Sequence, residues 1–289
     1  MDGIHLIKLL LTTSILLLVF ALGAHATFAD ATSFIRTVFR PPYWLLRALA
    51  SMYIVVPAVA VWIGFAFDLD RPVRIGLLAM SIAPIPPILP GKQLRLGGSA
   101  SHVFGLLVAV SLSAIVQLPL MVGLIGHVFG KEASFGAFEV ARLIGMTILV
   151  PLTAGLLVQR FAPRWADLVA PWTSRLGTIL LVVVVAIVLF KFWPLMASLI
   201  GGGALLAMIS MATAGIAAGH WLGGPEPSDR AIFAIASAMR HPGIAIAAAA
   251  ANVPQEPRLV AAVLLYVMVS LAMTGVYGAL IGRRHAVAA

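Results

Sequence analysis

Nine stretches of mostly apolar residues, joined by short connections, leave this chain few ways to fold: 6–28, 44–67, 72–90, 99–129, 138–161, 174–193, 197–222, 230–251 and 258–282. A run of about 20 apolar residues crosses the hydrocarbon of a bilayer as one helix. At that depth every backbone polar group must find a partner inside the protein. The 289 residues are 62% hydrophobic and only 10% charged, with a mean hydropathy of +1.07. That composition belongs to a polytopic membrane protein rather than a soluble one. The expected fold is all-α with nine transmembrane helices, and the connections leave no room for a soluble catalytic or regulatory domain.

The net charge of +9 points to the lipid bilayer as partner and not to nucleic acid, because Lys and Arg gather at the ends of the apolar runs. With the N-terminus outside, eleven of them fall on the cytoplasmic side and seven on the outer side, with Arg240 inside the membrane. This bias favours an outer N-terminus and a cytoplasmic C-terminus. Short loops and the lack of organellar targeting features fit a bacterial inner membrane. There is no cysteine, which removes disulfides, thiolate metal sites and cysteine nucleophiles. Ala24-His25-Ala26 has the form of a signal-peptidase site, but the preceding run is longer than a usual signal core, so a retained first helix is expected.

The chain repeats itself at an offset of 159 residues. Ala48, Ser51, Met52, Ala58, Trp62, Gly64, Asp70, Arg71, Ala79 and Met80 match Ala207, Ser210, Met211, Ala217, Trp221, Gly223, Asp229, Arg230, Ala238 and Met239, ten identities in 33 ungapped positions. The Trp and Asp-Arg matches weigh most, since neither is common here. The offset spans five helices, an odd number, so the copies cross the membrane in opposite senses. Inverted repeats mark secondary transporters, whose substrate sites lie near the midplane where the copies meet.

Both copies lose regular helix after the matched Ala-Met. The first continues through Ser81 to Pro84, Pro86, Pro87 and Pro90, and the second through Arg240, His241, Pro242 and Gly243. Proline lacks a donor and clashes with the preceding turn. Paired interruptions of this kind are the best sequence pointer to a transport site. An arginine at bilayer depth is itself a functional-site hypothesis. Its planar fork fits a carboxylate or phosphate, whereas the bland alternative is a structural charge on backbone carbonyls or buried water. His241 titrates near neutral pH when unperturbed and could couple transport to protons, or it could simply brace the break.

At these residues the chain resembles the bile acid:sodium symporter superfamily, from about residue 10 to 282. The resemblance rests on Arg40-Pro41-Pro42, the run LLRALASMYIVVP ending at Pro57, RIGLLAMSIAP ending at Pro84, and AIASAMRHPGIAIA. It implies inverted repeats with two crossing discontinuous helices, a core of 44–129 and 197–282, and a panel of 6–28 and 138–193. It also implies alternating-access transport of organic anions, from bile acids to smaller carboxylates, often with sodium. The chain departs from the family where coupling is decided. The family's Glu-x-Gly-x-Gln-Asn reads Ala236 to His241, and its Pro-Gly-Gly-Thr-x-Ser-Asn reads Pro84 to Pro90 without polar ligands. A family glutamine falls at Met52, and Ser111 keeps a family hydroxyl. Sodium, as a hard cation, needs several oxygen ligands, and these positions argue against it as a coupling ion. No other cofactor or metal is implied.

The candidate substrate-binding residues are therefore Arg240, His241, Ser81 and Ser111, with Ser81 the repeat mate of Arg240. Pro84, Pro86, Pro87, Pro90, Pro242 and Gly243 shape the crossover backbone. His102 and Ser101 open a helix and read as cap or interface residues. Gln117, before Pro119, reads as a partner for carbonyls freed by that proline. Tyr266 and Ser270 share a helix face toward a possible cavity. Gly201-Gly202-Gly203 reads as a turn; no strand precedes it and no Lys-Ser/Thr follows, so it is not a P-loop. No catalytic residue set is visible. The rival to an organic-anion transporter is a non-transporting membrane sensor or scaffold of the same fold. The substrate's identity, transport direction and oligomeric state are not encoded in any motif.

Overall fold

The computed structural model describes residues 3–38, 43–253 and 256–287; Arg40, Pro41 and Pro42 of the family-like loop lie outside these. Among the described residues every regular element is helical. The long segments are α1 (Gly3–His25), α2 (Trp44–Ala66), α3 (Arg71–Ile82), α4 (Leu89–Arg95), α5 (Ala100–Val128), α6 (Ala137–Phe161), α7 (Pro163–Ser198), α8 (Ala204–Leu222), α9 (Pro227–Ala238), α10 (Pro242–Ala250) and α11 (Pro257–Val287). Two short helices, Phe28–Ala31 and Ser33–Val38, join α1 toward α2. Seven helices among the described residues are long and apolar enough to cross a membrane, with α9 and α10 counted as one interrupted span.

Proline sets most of the boundaries. It stands within the first two positions of α3, α4, α9 and α10, where its missing N–H costs nothing and its φ is already helical. The gap between α3 and α4 holds Pro84, Pro86 and Pro87; Pro90 falls inside α4. The gap between α9 and α10 is only Met239 to His241. The two interruptions are therefore not in step. By the 159-residue offset, α9 ends at Ala238, but α3 continues one turn past Ala79 to Ile82. Pro242 falls one residue before the place of Pro84 under this offset, so the proline register accounts for only part of the difference.

One boundary differs from expectation. The helix expected at 174–193 runs from Pro163 to Ser198, about 54 Å at 1.5 Å per residue. Its charged first turns are helical because Ala166 and Ala170 share a face and bury against Ala24 of α1, while Trp165 and Trp172 stay exposed. Indole rings at a helix end suit the membrane–water interface. Gly201, Gly202 and Gly203 form the expected turn between α7 and α8, all with positive φ.

Small residues let backbones touch. In a membrane, helix association depends on close packing rather than on water exclusion. Gly215, Gly219 and Gly223, spaced four apart, lie on the backbone of α9 and its start; a Cβ at Gly219 would strike the Phe233 carbonyl group. Gly23 of α1 and Gly155 of α6 make the same kind of contact with each other's helix. Helix α1 packs mainly on α6 and α7, whereas α8 packs on α9 and α3 on α11, α10 and α2. Gly219→Leu should force α8 from α9 and cost about 3 kcal/mol. Thermal unfolding in neutral detergent should show a clear drop in midpoint, and an unchanged midpoint would mean that the two helices do not rely on this contact.

Candidate functional site

The site begins with a proline inside α2. Pro57 has no N–H, and α2 passes through a π-helical turn at Ser51–Val55 in which the Val56 N–H donates to Ser51 five residues back. Val56 would serve Met52 in an ordinary α-helix, and Pro57 would serve it in the π pattern. Neither does, and the Met52 carbonyl is left facing the interior. The same arithmetic holds at the breaks. In a continuous helix Pro87 would serve Ala83, and Pro242 would serve Ala238.

Arg240 supplies two of the missing donors. Its Nη2 donates to the Met52 carbonyl at 2.9 Å and its Nη1 to the Ala83 carbonyl at 3.3 Å. The Tyr266 hydroxyl supplies the third, donating to the Ala238 carbonyl at 3.0 Å. The backbone N–H of His241 donates to the Pro84 carbonyl at 2.7 Å, so the two interruptions are joined directly. The His241 ring caps α10, its Nδ1 accepting from the Ile244 N–H at 3.3 Å. Beside them the Ser51 and Ser237 hydroxyls share a hydrogen bond at 2.6 Å.

This arrangement is nearly closed. Arg240 is 2% exposed and His241 6%, and among the described residues no carboxylate pairs with the guanidinium. Arg240 Nε and His241 Nε2 are buried without a hydrogen-bond partner. An unpaired cation whose Nε has no partner, held between two broken helices, can bind an anion once that space opens, and meanwhile it holds the breaks together. The carbonyl-bound reading of Arg240 and the bracing reading of His241 both describe its contacts in this conformation.

A sequence model of the sodium bile acid symporter family matches residues 12–198, well over half of the chain and inclusive of the first break. This chain belongs to that family. A probable chloroplastic sodium/metabolite cotransporter of Oryza sativa subsp. japonica is 23% identical to it over 225 residues, 74% of this chain and 49% of the relative. The chain thus spans about half the length of that curated relative. The family and the long apolar helices make this an integral membrane protein of a transporter family.

The remaining candidates sit differently. Ser81 is fully buried, but its hydroxyl donates to Leu78 of its own helix at 2.7 Å. It is still inside α3, whereas its repeat mate Arg240 lies in a gap. Ser111 of α5 is fully buried and its hydroxyl has no partner; the preceding residue, Val110, accepts from the Tyr53 hydroxyl at 3.1 Å, next in sequence to Met52. Pro84, Pro86, Pro87 and Pro90 are buried, Pro242 is half-buried and Gly243 is exposed. Gln117 does not serve freed carbonyls, because neither end of its amide has a partner. Ser270 bonds within its own helix. Ser101 donates to Asp30 at 2.7 Å; burial raises the Asp30 carboxyl, but this bond and those from Thr27 outweigh it and hold it below its ordinary value.

Sequence reasoning missed the Met52 and Ala83 carbonyls and the role of Tyr266. The signal was present as Pro57, Pro87 and Pro242, each of which implies a carbonyl in need of a donor. Tyr266→Phe removes a donor from a buried carbonyl and should cost about 1–3 kcal/mol. Thermal unfolding in neutral detergent should register this as a lowered midpoint without loss of helix content by circular dichroism. No change would mean that Ala238 has another donor.

Proposed function

We propose that this chain is a secondary transporter of small organic anions that works by alternating access, with Arg240 as the fixed positive charge at the anion site. The observation that carries the reading is the buried guanidinium at the meeting point of two broken helices, with its Nε unpartnered. Membership of a transporter family supports the transport step. The name of the rice relative, a probable sodium/metabolite cotransporter, supports a metabolite as cargo.

The proposed architecture has nine membrane spans in inverted repeats. Two are added to the seven long apolar helices: α1, and α3 with α4 across the proline gap. Two polar side-chain pairs support the repeat. Asp70, before α3, pairs with Arg258 in the first turn of α11 at 2.8 Å. Its mate Asp229, in α9, pairs with His102 in the first turn of α5, also at 2.8 Å. Residue 258 is the 159-residue mate of residue 99, about one turn before His102, so the two pairs fall in corresponding regions of the two copies. The core of 44–129 and 197–282 then moves against a panel of 6–28 and 138–193. The N-terminus lies outside and the C-terminus in the cytoplasm, in a bacterial inner membrane.

Sodium does not fit the residues at the breaks. Ala236 offers no side-chain oxygen, the Ser237 hydroxyl is taken up by Ser51, and the Met52 and Ala83 carbonyls are engaged by a cation. Coupling through protons or exchange of one anion for another takes sodium's place in the proposal. A second reading, a membrane sensor or scaffold that keeps the fold without transport, is favoured by the same two Arg240 bonds, since they close the crossing.

Proteoliposome uptake separates these readings. Small carboxylates and a bile acid would be offered under a sodium gradient, a proton gradient or neither. Uptake should be indifferent to sodium, fall at least tenfold in Arg240→Ala, and need more substrate in Arg240→Lys, whose ammonium lacks the planar fork. Strict sodium dependence would overturn the coupling argument. A folded protein that moves none of these anions would favour the scaffold.

A further inference from the structure

Away from Arg240, a cavity of about 290 Å³ runs between α3, α5 and the end of α10. Neither Arg240 nor His241 lines it. Its depth follows α3 from Arg71 to Ile82, about 16 Å along the helix axis. The mouth carries Arg71, Arg74 and Lys131 against a single acid, Glu132. The deeper wall is apolar, formed by residues such as Leu78, Ile82, Ile125 and Ala249. The floor at Ile82 adjoins Ala83, whose carbonyl Arg240 holds.

The charge at this mouth is not cancelled by its neighbours. Asp70, next to Arg71 in sequence, is engaged by Arg258 at 2.8 Å. Among the described residues Arg71, Arg74 and Lys131 enter no ion pair. Two contacts keep the rim in shape. The Arg74 guanidinium carbon lies 5.8 Å from the centre of the Phe129 ring. The Asn252 side chain accepts from the Ser134 N–H at 2.9 Å and donates to the Ser134 carbonyl at 3.0 Å and to the Ala248 carbonyl at 2.9 Å. Asn252 thereby ties the segment carrying Lys131 and Glu132 to the end of α10.

We infer that this cavity is a binding site for a small amphipathic organic anion, its carboxylate or sulfonate among Arg71, Arg74 and Lys131 and its apolar body against α3 and α5. Ligand pockets are mostly apolar with a few placed polar groups, and commonly occupy about 300–1,000 Å³. At the lower edge of that range, this one takes a single ring or a short branched chain and not a steroid-sized body. The inference does not depend on the transport reading, because the site is built without Arg240.

The test is calorimetric titration of benzoate, and of neutral benzamide, into the full chain in uncharged detergent. It is run in wild type and in Arg240→Ala, which removes the other anion-holding group. Benzoate should bind in both backgrounds and benzamide in neither. Adding Arg74→Gln with Lys131→Gln should weaken benzoate at least tenfold, and Ile125→Trp, which fills the apolar wall, should weaken it similarly with the rim charges intact. Circular dichroism of each variant checks folding. Benzoate binding that ignores the rim changes, or that vanishes in folded Arg240→Ala, would overturn the site. So would displacement of benzoate by stoichiometric phosphatidylglycerol, which would make the cavity a lipid site.

Discussion

A proline buried in hydrocarbon leaves a carbonyl that water cannot reach, and the centre of this protein is organised around three such carbonyls. Pro57, Pro87 and Pro242 withhold the donors that Met52, Ala83 and Ala238 would otherwise receive. An orphaned acceptor at that depth costs about 1–3 kcal/mol. Arg240 and Tyr266 meet these acceptors from other parts of the chain. The first break takes its donors from Arg240 and His241 in the second break, and the second break takes one from Tyr266 of α11, so neither keeps its shape unless these elements are docked. The irregular backbone thus holds the bundle together, because each interruption is completed by a residue from another part of the chain.

Close docking in turn depends on residues with almost no side chain. Gly215, Gly219 and Gly223 bring α8 against the backbone of α9, and Ser51 and Ser237 meet across the neighbouring α2–α9 contact. An Arg240 side chain reaching both Met52 and Ala83 requires these elements to stand at backbone-contact distance. A bulkier stripe on α8 would therefore act on the guanidinium without touching it. Conversely, separating α2 from the breaks would release both nitrogens of the Arg240 fork together and leave its charge available.

Much of this is legible in the sequence, for reasons particular to each element. Long apolar runs reveal most of the helices, since nothing else satisfies a backbone in lipid. The proline clusters locate both breaks, and the buried Arg240 and His241 stand out by their cost. The start of α7 was not legible, because Arg164 and Asp167 read as loop when hydropathy alone is consulted, while the Ala24, Ala166 and Ala170 contact that makes them helical is tertiary. The partners of Arg240 were also hidden, since backbone carbonyls carry no residue signature. Only the missing N–H of a proline betrays them, and the register of a π turn decides which carbonyl is freed. The anion cavity has no motif either; its cations come from the first turn of α3 and from the connection after α5, more than fifty residues apart, and folding brings them together.

On the proposed transport reading, replacing a mobile cation by Arg240 changes the energetics of coupling. A bound sodium ion enters and leaves with the cargo and so transmits its own gradient. A guanidinium belongs to the protein and stays. It lowers the cost of holding an anion at bilayer depth, but by stabilising the same state from either side it adds no driving force; a ligand or charge shifts an equilibrium only through its differential affinity for the two states. The anion must also compete with the Met52 and Ala83 carbonyls for the same fork, so binding and opening are one event. When the anion departs, the carbonyls reclaim the nitrogens and the crossing closes again. That cycle suits exchange of one anion for another, because the empty carrier is the state in which Arg240 locks α2 to both breaks.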